Sequence, residues 1–135
     1  MKTALDSSVL LDVLGADPVF GERSRDALRS AYDAGALVAC DVVWAEVRAH
    51  FPTDDAFAEA INLLGVQFDT ITREAAAAAG RLWREARKQT PVRERVIADF
   101  LVGAHAQLQA DVLLTRDRGF YRRYFSKLRL MDPSS

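Results

Sequence analysis

A chain of 135 residues is expected to form one domain over residues 1–135, because a single core of this size already buries about two thirds of the unfolded chain's surface. Half of its residues are hydrophobic and 27% are charged, the balance of a soluble globular protein rather than a disordered one. No apolar stretch is long enough to span a bilayer, and the net charge of −1 gives no global attraction to a polyanion.

The start, Met1-Lys2-Thr3-Ala4-Leu5-Asp6, meets a carboxylate before a signal-peptide core can form, so export is not expected. The lone Cys40 permits no internal disulfide and fits a reducing cytoplasm. Thr3-Ala4-Leu5 reads as a short buried strand, with Ser7 or Ser8 as the cap of an apolar helix through Leu14 that Gly15 and Pro18 stop. Residues from about 19 to 34 read as an amphipathic helix ending at Gly35, ahead of a strand over Ala36 to Cys40.

Asp41 then reads as the N-cap of a helix holding Trp44, Glu46 and Val47, which Pro52 closes. Thr53 to Leu64 forms a further helix with Phe57, Ile61 and Leu64 on its apolar side. Val66 to Ile71 alternates as a strand, and Thr72 caps a long helix whose good formers run to about Lys88. Gln89-Thr90-Pro91 reads as a loop. From about Arg95 to Gln109, apolar residues recur at helical spacing, before strands over Val112 to Thr115 and Leu128 to Met131. Short strands alternating with helices predict an α/β fold with a mostly parallel sheet covered on both faces.

Four acids sit where a strand ends or a helix begins: Asp6, Glu46, Asp99 and Asp117. In a parallel sheet the carboxyl ends of the strands share one rim with the first turns of the following helices, so acids far apart in sequence can converge there. Singly, each has a plainer explanation. Asp6 can cap a helix, Glu46 can be a solvated helical side chain, Asp117 can belong to a surface turn, and Asp99 can pair with Arg93 or Arg95. Asp99 is the hardest to explain this way, because Val96-Ile97-Ala98 and Phe100-Leu101-Val102 surround it, and a buried carboxylate needs a partner or a cation. Glu46 likewise has only apolar neighbours. Jointly, three or four carboxylates without a histidine or cysteine set suit a hard cation such as Mg²⁺ or Mn²⁺ rather than zinc. His50 and His105 are left out of the site.

The segment from 112 to 130 carries a charge of +5 while everything before it sums to −5. A basic segment around Asp117 is what a site processing a polyanion needs, with Arg116, Arg118, Arg122 and Arg123 holding phosphates. A surface strand and turn solvated by arginine explains the same charge. Phe120, Tyr121 and Tyr124 are expected to pack in the core and at a dimer face rather than to stack on bases.

Four blocks in order carry a family likeness: Leu5-Asp6-Ser7-Ser8, Val43-Trp44-Ala45-Glu46-Val47, Ile97 to Ala106, and Leu113-Leu114-Thr115-Arg116-Asp117-Arg118-Gly119-Phe120. Over nearly its whole length the chain resembles the PIN-domain ribonucleases, and within them the VapC toxins of toxin-antitoxin pairs. The resemblance implies a sandwich of helices around a parallel sheet of four to five short strands. It implies that Asp6, Glu46, Asp99 and Asp117 form an acidic quartet holding Mg²⁺, with Mn²⁺ as substitute, and that Thr115 and Ser7 supply pocket hydroxyls. Asp6, Asp99 and Asp117 would be direct ligands and Glu46 a ligand or orienter. The implied reaction is endonucleolytic cleavage of RNA by water, leaving a 5′-phosphate and a 3′-hydroxyl. The implied partners are a VapB-type antitoxin and a second copy in a homodimer. Two other readings start from the same residues: a phosphohydrolase with Asp6 as covalent nucleophile, and a non-catalytic RNA-binding or interaction module of the same fold.

Overall fold

The computed structural model describes residues 1–89 and 96–133. In chain order the elements are β1 (Lys2–Leu5), α1 (Ser7–Leu14), α2 (Gly21–Ala34), β2 (Ala36–Ala39), α3 (Asp41–Arg48), α4 (Asp54–Leu64), β3 (Val66–Phe68), α5 (Arg73–Gln89), α6 (Ile97–Gln109), β4 (Val112–Leu114), α7 (Arg118–Tyr124) and β5 (Leu130–Met131). The strands form one sheet in the order β3-β2-β1-β4-β5, and every neighbouring pair is parallel. This is the short parallel α/β sheet that the alternation of elements predicts.

Strand composition explains the layering. Apart from their first residues, β1 and β2 are buried throughout, as is all of β4, which requires helices over both faces of the sheet. The outer strands β3 and β5 are more exposed, as edges are. One apolar cluster joins Leu5, Val9 and Leu10 to Leu37, Val43, Phe100, Leu113 and Tyr121. Beneath α7, Phe100 meets Phe120 edge-on with ring centres 5.2 Å apart, and Phe120 meets Tyr121 at 4.9 Å. The aromatic residues after Asp117 therefore pack in the core, as expected. The segment holding them is a helix, however, and not the strand and turn that its charge suggested. Its apolar residues point inward while Arg122 and Arg123 stay exposed.

Local chemistry sets the ends of the elements. Thr53 caps α4 by accepting the Ala56 N–H at 3.1 Å, and Thr72 accepts the Ala75 N–H at 3.1 Å at the start of α5. Gly65 closes α4 in the left-handed conformation, with φ of 70°. Two expectations are corrected. Asp6, rather than Ser7 or Ser8, caps α1. Asp41 does not cap α3 but is its first residue, with Cys40 at the N-cap; the Asp41 carboxylate instead accepts from the Thr70 hydroxyl at 2.8 Å and the Ile71 N–H at 2.7 Å. Asp69 still donates its N–H to the Ala39 carbonyl at 3.0 Å, but Thr70 and Ile71 turn to Asp41, and β3 ends at Phe68 rather than at Ile71. Residues 90 and 91 of the expected loop, and Arg95 at the expected start of α6, lie outside the described residues.

Gly103 of α6 lies against Phe125, the residue that follows α7: a Cβ there would stand 2.4 Å from the Phe125 ring. Phe125 is itself buried and has little freedom to retreat. Gly103→Ala should therefore lower stability by about 1–3 kcal/mol, seen as a reduced denaturant midpoint with an unchanged slope. An unchanged midpoint would mean that Phe125 does not fill this contact.

Candidate active site

The sheet order places β1 between β2 and β4, so the chain winds away from β1 in opposite directions on its two sides. Such a reversal leaves a crevice at the carboxyl ends of the two central strands, where ligands of open α/β sheets bind. Leu5 of β1 pairs with Leu114 of β4, which brings the next residues, Asp6 and Thr115, side by side. The Asp6 N–H donates to the Leu114 carbonyl at 3.0 Å, and the Thr115 hydroxyl donates to Asp6 Oδ2 at 2.7 Å. Asp6 Oδ1 accepts the Ser7 N–H at 2.8 Å. Asp117, the N-cap of α7, donates its N–H to Thr115 Oγ1 at 3.0 Å. Thr115 is fully buried and couples the ends of the two strands.

Asp99 reaches the same rim from α6. That helix leads into β4 through residues 110 and 111, so it runs antiparallel to the strands and its first turn lies at their carboxyl ends. Asp99 is half-buried there, while Phe100 and Val102 to Ala106 are buried. Arg93 and Arg95, its expected alternative partners, lie outside the described residues. Glu46 stands in the second turn of α3. Val43 and Val47 hold that helix to the core, but Glu46 itself is exposed at the rim rather than enclosed by them. Its carboxylate accepts a hydrogen bond from the Ser7 side chain.

The electrostatics link the acids. Burial raises the carboxyl pKa of Asp6; the bonds from Thr115 and Ser7 pull it down, and the charges of Asp99 and Asp117 raise it again, for a net upward shift. Partial burial likewise raises Glu46 against the Ser7 bond, with Asp6 and Asp99 adding repulsion. Among the described residues no three acidic, histidine or cysteine side chains are already drawn into a ligating arrangement. In kind, the donors suit a hard divalent cation, being carboxylates and hydroxyls with neither thiol nor imidazole. The mutual repulsion at Asp6 and Glu46 is what such a cation would relieve.

The four arginines assigned to phosphate differ in setting. Arg116 makes a two-pronged pair with Asp12 of α1, Nε to Oδ2 at 2.8 Å and a second nitrogen to Oδ1 at 3.0 Å, and lies over the Phe20 ring at 4.1 Å. Asp12 is buried and also accepts from the Ser24 hydroxyl at 2.8 Å. Arg116 thus ties the Thr115–Asp117 turn to α1 and α2. Arg118 pairs with the buried Asp132 at 2.6 Å. Arg122 and Arg123 are exposed on α7. Asp12 gave no sequence signal beyond being one more helical acid.

Both histidines bond to groups other than the four rim carboxylates. His50 Nδ1 lies 3.0 Å from the Glu46 carbonyl at the end of α3. His105 is buried in α6, with Nε2 2.8 Å from Asp69 Oδ2. Partial burial would raise Asp69, but His105 and Lys2 outweigh it and hold its carboxyl below the usual range. Gln109 adds bonds to the Thr70 carbonyl at 2.8 Å and from the Thr72 N–H at 3.0 Å. Cys40 is buried, and burial raises its thiol pKa, so it is a packing residue and not a nucleophile.

Comparison with known proteins adds the following. The chain matches the family model of the PIN domain over residues 3–126. No curated protein matches its sequence at a significant level. Among solved structures it is similar to VapBC2 from Rickettsia felis bound to a DNA fragment from their promoter, with a TM-score of 0.74, 14% identity and 98% of each chain covered. VapBC-1 from nontypeable Haemophilus influenzae has a TM-score of 0.71 and 19% identity, with all of both chains covered. VapC20 from Mycobacterium tuberculosis, a toxin that cleaves the sarcin-ricin loop, has a TM-score of 0.61 and 15% identity over 94% of this chain and 98% of that one. At these identities the structural likeness is one of fold.

Two measurements follow from this geometry. A carboxyl whose folded pKa is raised makes no difference to stability below its unfolded pKa and weakens the fold as pH rises through the folded value. Asp6→Asn should therefore raise the melting temperature of the metal-free protein by a few degrees at pH 7 and leave it unchanged at pH 3. An equal effect at both pH values would show that the charge of Asp6 is not strained. Arg116→Ala leaves Asp12 buried without its cation and should destabilise the protein by about 3 kcal/mol, measured by denaturant unfolding. A change within about 0.5 kcal/mol, the range of ordinary surface substitutions, would assign Arg116 to the surface instead.

Proposed function

The chain belongs to the PIN-domain family, and from that premise we propose that it is a metal-dependent endoribonuclease acting as the toxin of a VapBC-type toxin-antitoxin pair. The observation that carries the reading is the crevice between β1 and β4, where a desolvated Asp6, fixed by Thr115, feels the charges of Asp99 and Asp117. The charges of Asp99 and Asp117 push the Asp6 carboxyl up, and a divalent ion held among these acids would lower that repulsion.

In this proposal Asp6, Asp99 and Asp117 hold Mg²⁺, or Mn²⁺ in its place. When bound, the ion offsets the charge that builds on a phosphodiester under attack and acidifies water. The chain's own groups prepare the site. The Thr115 hydroxyl, donated to Asp6 Oδ2, fixes the direction of that carboxylate. The Ser7 side chain does the same for Glu46 from the neighbouring helix, so Glu46 serves as ligand or orienter. Arg116, through Asp12, keeps the turn that carries Asp117 in register. Arg122 and Arg123, exposed one turn beyond Asp117, are the members of the basic segment best placed for flanking phosphates. RNA as the substrate is supported by the VapC20 likeness, since that protein cleaves the sarcin-ricin loop; attack by water makes no use of the 2′-hydroxyl and does not itself select RNA.

An antitoxin partner is supported by similarity to chains solved as VapBC complexes. The surface offers it a groove of about 350 Å³ between α1, α2 and α4, lined by Val13, Leu28, Tyr32, Leu63 and Leu64 with Arg25, Arg29 and Asp33. Leu63 is 81% exposed and Tyr32 58% exposed, which gives the groove an apolar rim. Pairing of two copies into a homodimer belongs to the same reading. A cytoplasmic location is part of it too; among the described residues no helix is long and apolar enough to cross a membrane.

The deciding experiment incubates total cellular RNA with the protein in Mg²⁺ or in EDTA and maps the cut ends. Cleavage should require Mg²⁺ and leave 5′-phosphate and 3′-hydroxyl ends. Asp99→Asn should reduce it about a hundredfold or more, with the melting temperature in EDTA unchanged or raised. Cleavage that persists in EDTA, or a marked loss of stability in Asp99→Asn, would instead make Asp99 a structural partner.

A further inference from the structure

The second half of α5 concentrates positive charge on one exposed face. Arg81, Arg84, Arg87 and Lys88 are all exposed, against the single acid Glu85, while Ala79 and Ala86 pack inward. Arg84 stands three residues from Arg81 and from Arg87 and four from Lys88, the spacings at which like charges on a helix repel. Glu85 meets only Lys88, at 3.4 Å, and among the described residues Arg81 and Arg84 have no acidic partner. The cluster thus weakens its own helix, and nothing within the described fold compensates for it.

Two further features adjoin that face. Trp83 packs half-buried against the core at its border, and the Arg87 guanidinium covers its ring at 4.2 Å. Gly80 lies on the same side, one turn before Arg84. A Cβ at Gly80 would meet nothing within 4 Å, so no neighbour in the fold excludes a side chain there, and alanine would be the better helix former. A bare backbone with open space above it, ringed by arginine, suits the close approach of something from outside.

The position of this face ties it to the acids. The Thr72 N–H, at the start of α5, is held by the Gln109 side chain at the end of α6, and the two helices pack along their lengths. At 1.5 Å per residue, Arg84 lies about 18 Å along α5 from that anchor, and Ile97 at the start of α6 lies about 18 Å from Gln109. Arg84 is therefore level with the first turn of α6, which carries Asp99. Packed helices stand about 8–10 Å apart, and because Ala75, Ala79 and Ala86 face the core, the cations stand on the outer side of α5 at the level of Asp99.

We propose that Gly80, Arg81, Arg84, Arg87 and Lys88, with Trp83, form the track along which a single-stranded RNA leaves or enters the acid crevice. The arginines and the lysine hold consecutive phosphates, the sugar-phosphate chain passes over Gly80, and the Arg87–Trp83 stack takes a base. This surface is separate from the basic segment around Asp117, in which Arg116 and Arg118 are committed to Asp12 and Asp132. The inference rests on the ribonuclease reading for its choice of RNA, and its test separates the two.

Binding of a fluorescein-labelled, unstructured single-stranded RNA to the full chain is measured in EDTA, where cleavage is not expected, across a salt series; cleavage of the same RNA is measured in Mg²⁺. Arg84→Gln with Lys88→Gln should raise Kd about tenfold and flatten the log-log salt dependence by about 1.4, with kcat at saturating RNA within about twofold. Gly80→Ala should raise the melting temperature yet weaken binding, a pairing that a purely structural role does not produce. Unchanged Kd and salt slope in the double variant overturn the track, and if native cleavage is Mg²⁺-dependent the nuclease reading stands. Weakened binding by a chain that cleaves nothing in Mg²⁺ keeps the track and removes the nuclease reading. A native chain that neither binds nor cleaves removes both.

Discussion

The parallel pairing of β1 with β4 is the constraint from which the rest follows. It puts Leu5 opposite Leu114 and so joins Asp6 to Thr115 at the one place where the winding of the sheet reverses. β2 lies on the other side of β1 and delivers α3 with Glu46. α6 must run back over the sheet to feed β4, and thereby presents Asp99 from above. A one-residue slip between β1 and β4 would separate Asp6 from Thr115 and turn the buried strand residues toward the wrong face. The same apolar pairs that build the core therefore align the acids.

Two polar anchors hold this arrangement from outside the crevice. Asp12 and Arg116 fasten the turn after β4 to α1, with Phe20 and Ser24 closing around them. Asp69, His105, Gln109 and Asp41 fasten the connection between β3 and α5, bridging α3 and α6. Each is a buried or half-buried network with its hydrogen bonds satisfied, which fixes geometry even where the net gain in stability is small. The acids of the rim are the opposite case: Asp6 and Glu46 are raised by burial and by the charges of neighbouring acids, whereas Asp69 is held low by its partners. That contrast separates the charges that anchor the fold from those that the fold keeps under strain.

Much of this was legible in the residues. Short apolar runs ended by Asp6 and by Thr115 marked the central strands, Thr53 and Thr72 marked two helix starts, and the enclosure of Asp99 by apolar neighbours marked it as a charge in need of a partner. What was not legible depended on contacts across the fold. Asp41 looks like a helix cap in sequence, but a loop almost thirty residues away, at Thr70 and Ile71, competes for its carboxylate. The place of Glu46 on the rim was legible from its turn of the helix, but its apolar neighbours suggested an embedded charge where the side chain is exposed. The aromatic residues Phe120, Tyr121 and Tyr124 were legible as core, but the charge of residues 116–123 left a surface strand and turn open where the chain forms α7. The pairing of Arg116 with Asp12 spans more than a hundred residues and had no local signature at all.

The central claim is that the repulsion gathered at the β1–β4 crevice exists to bind a divalent cation. Anomalous diffraction from crystals of the protein soaked in Mn²⁺ tests it directly. The account predicts a peak within ligand distance of carboxylate oxygens of Asp6, Asp99 and Asp117, beside Thr115 and level with Glu46. A crevice without a peak at saturating Mn²⁺, or an ion held by other residues while these acids stay apart, would contradict it.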